Sequence, residues 1–497
     1  MNSLHFLLPL LVALPIIFDR LESRGVLSRL SFLNFTGPVL FFVLTLTSFL
    51  SKNSIQLTVY SFDEFFSVGL RLDVLSGIIA MTVSTIGLIV QRFVTRYLED
   101  DPKKEAFKRN MALTISFVLA MLMAPNLILL LLSWIGTSFY IHKLLTHFNE
   151  REGAKKAAKQ KFWVSRFGDL CIAIAAAIYL IVFKSLEFET IFSLAKNSLL
   201  LEENSLVLNL ASLLLVIGAM TKSAIFPFHY WLPNTMETPT PVSAIMHAGI
   251  INAGGYLVIR MSPVLSSSPF ALSLLAIVGS FTAFFATLIM FSQPNVKKNL
   301  AYSTIAQMGF MMLQCGLGAF SIAVVHIVGH AFYKAYAFLS SSSATDFGRL
   351  NRYYPKIKTS YSIWIPVLLA FTFIALTLLV MNMTGYGALE NPGMTVLLVV
   401  LALAIAQVVL SSNNKIKVGC WALGFVGLYL CLNGGMTNLL NGIVPASISN
   451  DSFLGPFVLL VSSAFFVILY IIQNNLDRIS ETEFGKKVYV KALRGGF

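Results

Sequence analysis

The stretch MTKSAIFPFHYWLPNTMETPTPVSAIMHAGIINAGGYLVIR, residues 220–260, decides how this chain is read. An apolar run over residues 205–220 leads into it, so Lys222 falls where a membrane helix should still be inside the bilayer. Pro227 and Pro233 break that helix, Pro239 and Pro241 end it, and a second apolar run carries His247. A lysine at bilayer depth costs about 2.5–3.5 kcal/mol on insertion scales, so such a residue is usually partnered and functional. A proline-broken helix is tolerated in hydrocarbon only where protein or water satisfies the freed backbone groups. Together these features describe an ion path, not a lipid-facing span.

Working outward, the 497 residues are 56% hydrophobic and only 12% charged. Soluble domains are about half apolar and a quarter charged, so the composition implies an all-α polytopic membrane protein. Counting apolar stretches of ~17–25 residues gives about fifteen spans. They lie near 3–18, 26–50, 70–95, 110–125, 127–148, 162–184, 205–235 (broken), 241–262, 268–292, 298–318, 319–345, 360–385, 393–412, 415–434 and 453–473. The first lacks a basic start and a small-residue cleavage site, which favours a retained helix over a signal peptide.

The net charge of +13 is a topology signal, because no soluble module is present to bind nucleic acid. Basic clusters around Arg20–Arg29, Arg92–Arg109, Lys143–Arg166, Lys297/Lys298, Arg349–Lys358, Lys415/Lys417 and Lys486–Arg494 all fall on one side of a fifteen-span arrangement. The acidic loops at Asp63/Glu64, 187–203, Glu390 and Asp451 fall on the other. The positive-inside rule then puts the N-terminus outside and the C-terminus in the cytoplasm. Arg260 is the one misfit. The basic 151–166 segment reads as a solvated loop, or as a dock for a partner or anionic lipid. Four segments follow: N-terminal helices (1–69), a translocation core (70–345), C-terminal helices (346–474) and a basic cytoplasmic tail (475–497).

The ionisable residues within spans form a series. They are Asp73, Arg166, Asp169, Lys222, His229, Glu237, His247, Lys297 with Lys298, and then His326, His330 and Lys334. The last three are four residues apart and share one helix face. Histidine, and lysine in a buried setting, suit proton uptake and release near neutrality. Other readings stand beside this one. His326 and His330 have the spacing of a zinc pair, though no third ligand is near in sequence. Arg166 and Asp169 also fit a structural pair, and His142, Lys143 and His147 the cytoplasmic end of span five. His229 beside Trp231 fits an interfacial anchor, and Lys222 a structural pair closing the broken helix. The four cysteines occur singly and read as small buried hydrophobes. No nucleotide loop or cysteine-ligand metal pattern is present, so no metal or cofactor is expected in this chain.

At the level of motifs, residues 221–260 resemble the signature of the antiporter-like proton-translocating subunits of respiratory complex I and the Mrp antiporters. So do VKKNLAYSTIAQMGFM (296–311), VVHIVGHAFYKAYAFL (324–339), KFWVSRFGD (161–169) and, more weakly, RLDVLS (71–76). The resemblance covers about residues 70–345. It implies two inverted repeats, each with a discontinuous helix, and a central line of lysines and histidines that conducts protons. By motif position it assigns the key lysine to Lys222, the bridging histidine to His247 and the later lysine to Lys297. The histidine–histidine–lysine face falls on His326, His330 and Lys334, and the supporting charges on Arg166 and Asp169.

Three departures stand out. Trp134-Ile135 replaces the family's Trp-Glu, which leaves Asp169 or Glu237 as partners for Lys222. Run 360–385 has no lysine, and the family's long lateral helix has no counterpart after Gln473. With these departures, and with TSFYIHKLLTHF (137–148) followed by KKAAKQKFWVSRFGD (155–169), the chain resembles a divergent branch, that of DabB, the membrane subunit of the DAB inorganic-carbon transporter. That resemblance implies a large soluble DabA-like subunit on the cytoplasmic face, similar to a zinc β-carbonic anhydrase, with the zinc in the partner. It also implies a bacterial inner-membrane location. A pump module of a complex I-like or hydrogenase complex, or an Mrp-type sodium/proton antiporter subunit, are the alternatives.

Overall fold

The computed structural model describes residues 6–23, 36–62, 65–343, 393–410, 415–445 and 454–493, with short pieces within 367–379 and Ser412. Helices α1 (Leu7–Ser23) and α2 (Thr36–Ser51) precede a hairpin of β1 (Ile55–Phe62) and β2 (Phe66–Leu72). Then come α3 (Val74–Tyr97), α4 (Lys104–Leu122), α5 (Leu127–Leu145), the 32-residue α6 (Glu152–Phe183) and two short helices, α7 (Phe188–Leu194) and α8 (Ser198–Glu203). The decisive stretch spans α9 (Ser205–Lys222), α10 (Trp231–Asn234), α11 (Thr240–Ala248) and α12 (Ala253–Arg260). After it lie α13 (Ser262–Leu265), α14 (Pro269–Ser292), α15 (Val296–Gly316) and α16 (Phe320–Leu339). The C-terminal part has α17 (Gly393–Leu410), α18 (Lys415–Leu439), α19 (Leu454–Asn474), α20 (Leu476–Glu481) and α21 (Glu483–Leu493).

Among the described residues, ten helices are long and apolar enough to cross a membrane. Helices α1, α2, α4 and α15 are shorter or more charged and occupy further runs of the fifteen. Run 360–385 lies largely outside the described residues. The chain divides into two compact units, residues 1–271 with 326–340, and residues 272–325 with 341–497. In the second unit α14 and α15 meet backbone to backbone: a side chain at Gly279 would strike the Leu313 amide, and one at Gly309 the Ala283 amide. Small residues at a crossing give this kind of close approach in lipid. Leu313, Ile322, Met394, Leu397 and Val458 pack into a core there.

Two local findings differ from the reading of the sequence. Residues 55–72 form an antiparallel hairpin, because IQLTVYSF and FSVGLRL are rich in β-branched and aromatic residues. Along it Tyr60 meets Phe62 edge to face with ring centroids 4.8 Å apart, and Phe62 stacks on Phe66 at 4.7 Å. The basic 151–166 segment is not a loop but the first half of α6. Its alanines favour helix, and Ala154, Ala157 and Ala158 are buried. On the opposite face Trp163, Phe167, Leu170, Ile174 and Ile181 are exposed at helical spacing, the stripe a lipid-facing helix needs.

Arg260, the misfit in the charge pattern, is not a loop charge. It is buried at the end of α12 and grips both oxygens of Asp73, with Nη2 2.9 Å from Oδ1. Asp73 also caps α3, accepting from the Ser76 amide at 2.9 Å in a reciprocal capping box. Tyr256 receives Arg260 Nε at 3.2 Å and donates to the Leu122 carbonyl at 2.7 Å, which ties in the end of α4. One buried ion pair thus joins the ends of three helices.

Breaking a buried pair from one side leaves an uncompensated charge, at a cost of about 3–5 kcal/mol. Asp73→Asn or Arg260→Leu alone should therefore sharply lower the thermal midpoint of the detergent-solubilised protein. The double variant should lose clearly less than the sum of the two, as a double-mutant cycle would read.

The α3–α4 loop is latched to the end of α5, where His147 Nε2 lies 2.9 Å from Asp101 Oδ2. Partial burial is the largest single influence and works against the charged carboxylate, but the hydrogen bonds from His147 and the Lys103 amide, with the charges of His147 and Lys103, together outweigh it and hold Asp101 below its ordinary value. A depressed carboxylate stabilises the fold above the unfolded pKa, and that contribution is lost as pH falls through the folded value. Amide-exchange protection over residues 98–103, taken relative to the intrinsic rate at each pH, should fall as pH drops below about 4. Asp101→Asn should abolish that pH dependence.

Candidate functional site

Lys222 occupies the last turn of α9, where the helix stops. Ser223 caps it, and Ala224 follows with φ of 52°, a left-handed conformation that a non-glycine residue rarely adopts. The partner span is interrupted as well: α11 ends just after His247, and a single turn of 3-10 helix, Ile250–Asn252, leads into α12. The sequence suggested one continuous run there. The two breaks face each other. Ser223 Oγ donates to the Ile251 carbonyl at 2.7 Å, and a side chain at Gly254 would strike the Ala219 carbonyl. Protein groups therefore satisfy backbone that the interruptions release, as a membrane interior demands.

The Lys222 side chain is buried and aimed at α5. Its Nζ donates to Ser138 Oγ at 2.9 Å and to the Trp134 carbonyl at 3.2 Å, and sits 4.5 Å from the centre of the Trp134 ring. Trp134 and Ser138 are one turn apart and share a face of α5. On α6, Arg166 pairs with Asp169 at 2.6 Å. Asp169 is the carboxylate whose charge reaches Lys222, without a direct hydrogen bond between them. Glu237 is exposed, and its carbonyl accepts from Arg151 at 3.3 Å. Of the two carboxylates suggested by the sequence, Asp169 is the one at the site.

A second cluster lies on α11 and α16. His247 is fully buried and stacks on Phe338, with centroids 4.3 Å apart and planes at 25°. His326 and His330 have ring centroids 6.0 Å apart on one face of α16, and Lys334 is wholly buried one turn on. Lys334 and His330 both lie within electrostatic reach of His247. Neither ring nitrogen of His330 has a hydrogen-bond partner among the described residues. Asp73 is engaged with Arg260. Lys297 is half-buried at the start of α15 in the second unit, next to the exposed Lys298. Among the described residues, no three His, Cys, Asp or Glu side chains converge as metal ligands.

The sequence reading passed over Lys161 and Ser138. Lys161 is buried in the first half of α6 and donates to the Ser138 carbonyl at 3.1 Å. Its signal was positional: stepping back from Asp169 by four residues reaches Ser165 and then Lys161, both buried on the same face.

Helices α6 and α9 approach closely at Gly168, where a side chain would overlap the Thr221 hydroxyl. Gly168→Val should force the helices apart, at the ~1–3 kcal/mol typical of overpacking, and draw Asp169 away from Lys222. The expected outcome is a lower thermal midpoint together with impaired activity.

Residues 124–388 match the family model "NADH:quinone oxidoreductase/Mrp antiporter, TM". The "Probable inorganic carbon transporter subunit DabB2" of Halothiobacillus neapolitanus is 35% identical over 376 residues, 74% of this chain and 67% of that protein. "NADH-ubiquinone oxidoreductase chain 5" of Metridium senile is 38% identical over 276 residues, 55% of this chain and 45% of that one. Among solved structures, the Mrp complex from Dietzia sp. DQ12-45-1b aligns over 95% of this chain and 57% of its own, with a TM-score of 0.66 at 21% identity. That likeness concerns the fold. The chain spans about half the length of several curated relatives it matches.

Proposed function

Because the chain belongs to the antiporter-like proton-translocating membrane family of NADH:quinone oxidoreductase and Mrp complexes, we propose that it conducts protons along Lys222, His247, His330 and Lys334 to drive inorganic-carbon accumulation. The observation that carries this reading is the setting of Lys222. A buried ammonium at a helix break, held by a hydroxyl, a carbonyl and an indole face, has no carboxylate within direct bonding distance among the described residues to lock its charge. Such a group can change protonation as the path opens and closes. The His330 nitrogens, without a hydrogen-bond partner among the described residues, are suited to relay, since neutral imidazole can accept at one nitrogen while donating from the other. His326 shares that face of α16, and Lys297 is the proton-carrying lysine proposed for the second unit.

The carbon-coupling part rests on the DabB2 relative, whose alignment extends over much more of this chain than that of the complex I subunit. In this reading the chain is the energy-coupling half, in a bacterial inner membrane, with the N-terminus outside. A soluble zinc carbonic-anhydrase-like subunit binds its basic cytoplasmic face and hydrates CO2. Each proton that crosses releases about 2.3 kcal/mol per 100 mV of membrane potential, enough over a few protons to make hydration one-way.

Lys222→Met and Lys334→Met should stop proton flux and carbon uptake while leaving the chain in the membrane. Lys222→Arg should fail as well, because guanidinium keeps its proton. Flux would be read with a pH-sensitive dye in vesicles and uptake with labelled bicarbonate in cells carrying the partner. Normal flux in Lys222→Arg would overturn the proton path. Normal flux without carbon uptake in the unmodified complex would overturn the carbon reading and leave an antiporter or redox-pump subunit.

A further inference from the structure

Two buried lysines from different helices meet at one residue of α5. Lys222 Nζ donates to the Ser138 hydroxyl at 2.9 Å, and Lys161 Nζ to the Ser138 carbonyl at 3.1 Å. Both lysines are about 95% buried. The other titratable groups around them are few. Arg166 and Asp169 lie on α6 and pair with each other at 2.6 Å, and His142 lies one turn past Ser138 on α5. The α10 side contributes the neutral Asn234, bonded to Gln160, and Glu237 is exposed at the far end of α6 beside Gly153.

Charge counting then constrains the site. Arg166 cannot give up its proton and is neutralised by Asp169. If both lysines were also charged, two uncompensated cations would share one buried serine, which a low-dielectric interior does not sustain. The surroundings favour Lys222 as the charged member, since it has a hydroxyl, a carbonyl and an aromatic face to hold an ammonium. Lys161 has one carbonyl acceptor among the described residues, which a neutral amine satisfies with a single N–H.

Resting on the proton-path reading above, we infer that Lys161 is a second proton-carrying site whose loading expels the proton held by Lys222. The amine of Lys161 takes a proton from the aqueous side and becomes an ammonium. The resulting repulsion across Ser138 drives the proton off Lys222 Nζ into the onward path. The charge of the cluster is the same before and after, so the step moves one proton without burying a further charge. Ser138 positions the pair: its carbonyl holds one amine and its hydroxyl the other.

The experiment measures dye-reported proton flux in vesicles that contain the assembled complex with the full chain, alongside the amount of chain in the membrane. Lys161→Met should lower flux about a hundredfold, the low end of what a positioned proton-transfer group contributes. Lys161→Arg is the deciding variant, because it keeps a donor for the Ser138 carbonyl and a positive charge but cannot release a proton. It should accumulate normally and fail to conduct, whereas a merely structural lysine would be rescued by arginine. Ser138→Ala, which removes only the hydroxyl, should weaken flux less than either lysine change. Normal flux in Lys161→Arg overturns the inference, whether or not Lys161→Met accumulates. If Lys222→Met also conducts normally, the proton-path reading falls. If Lys222→Met is dead and Lys161→Arg is normal, only the present inference falls.

Discussion

The structure depends on one constraint: backbone and charge removed from water must be satisfied by the protein itself. Helix α9 ends at Lys222 and α11 ends one residue past His247, and both ends are buried. Neither interruption would survive alone in hydrocarbon. They survive because they meet, with Ser223 supplying the donor for the Ile251 carbonyl and Gly254 allowing the α9 backbone to approach. The same contact brings the two interrupted stretches, around Lys222 and around His247, into one unit.

The buried charges fall into two kinds. Asp73 and Arg260 are matched one to one, share two-point geometry and bind the ends of α3, α12 and, through Tyr256, α4. A pair so completed holds structure and has nothing left to exchange. The lysines are the opposite case. Lys161 and Lys222 outnumber the free carboxylates around them and lean on neutral oxygens of α5. This excess of cations is what the proposed change of protonation rests on. Low dielectric makes both cases costly, and only the completeness of pairing separates them.

This distinction bears on the missing glutamate at position 135. Where Ile135 stands, the expected carboxylate partner of Lys222 is absent, and the neighbouring turn of α5 supplies neutral acceptors at Trp134 and Ser138 instead. A neutral cradle holds an ammonium less firmly than a carboxylate does, which fits the proton-releasing role proposed for Lys222.

Much was legible in the sequence because membrane helices are written in one dimension. Run length and hydropathy located the helices, and prolines 227, 233, 239 and 241 marked the broken region. Spacing of four placed His326, His330 and Lys334 on one face. Each of these follows from bilayer thickness, backbone geometry or helical period, which need no neighbours. What required the tertiary structure was partnership. Arg260 looked like a stray loop charge until it met Asp73, 187 residues away. The 151–166 segment looked solvated until its alanine face was seen to be buried against the bundle. Glu237 and Asp169 were equal candidates beside Lys222 until packing brought Asp169 to the site and left Glu237 exposed. Ser138 lies in a stretch that carries the family resemblance, but nothing in the sequence marks it as a partner of buried lysines. It matters because two helices bring their lysines to it, and which side chains converge on a buried oxygen is decided only when the helices pack.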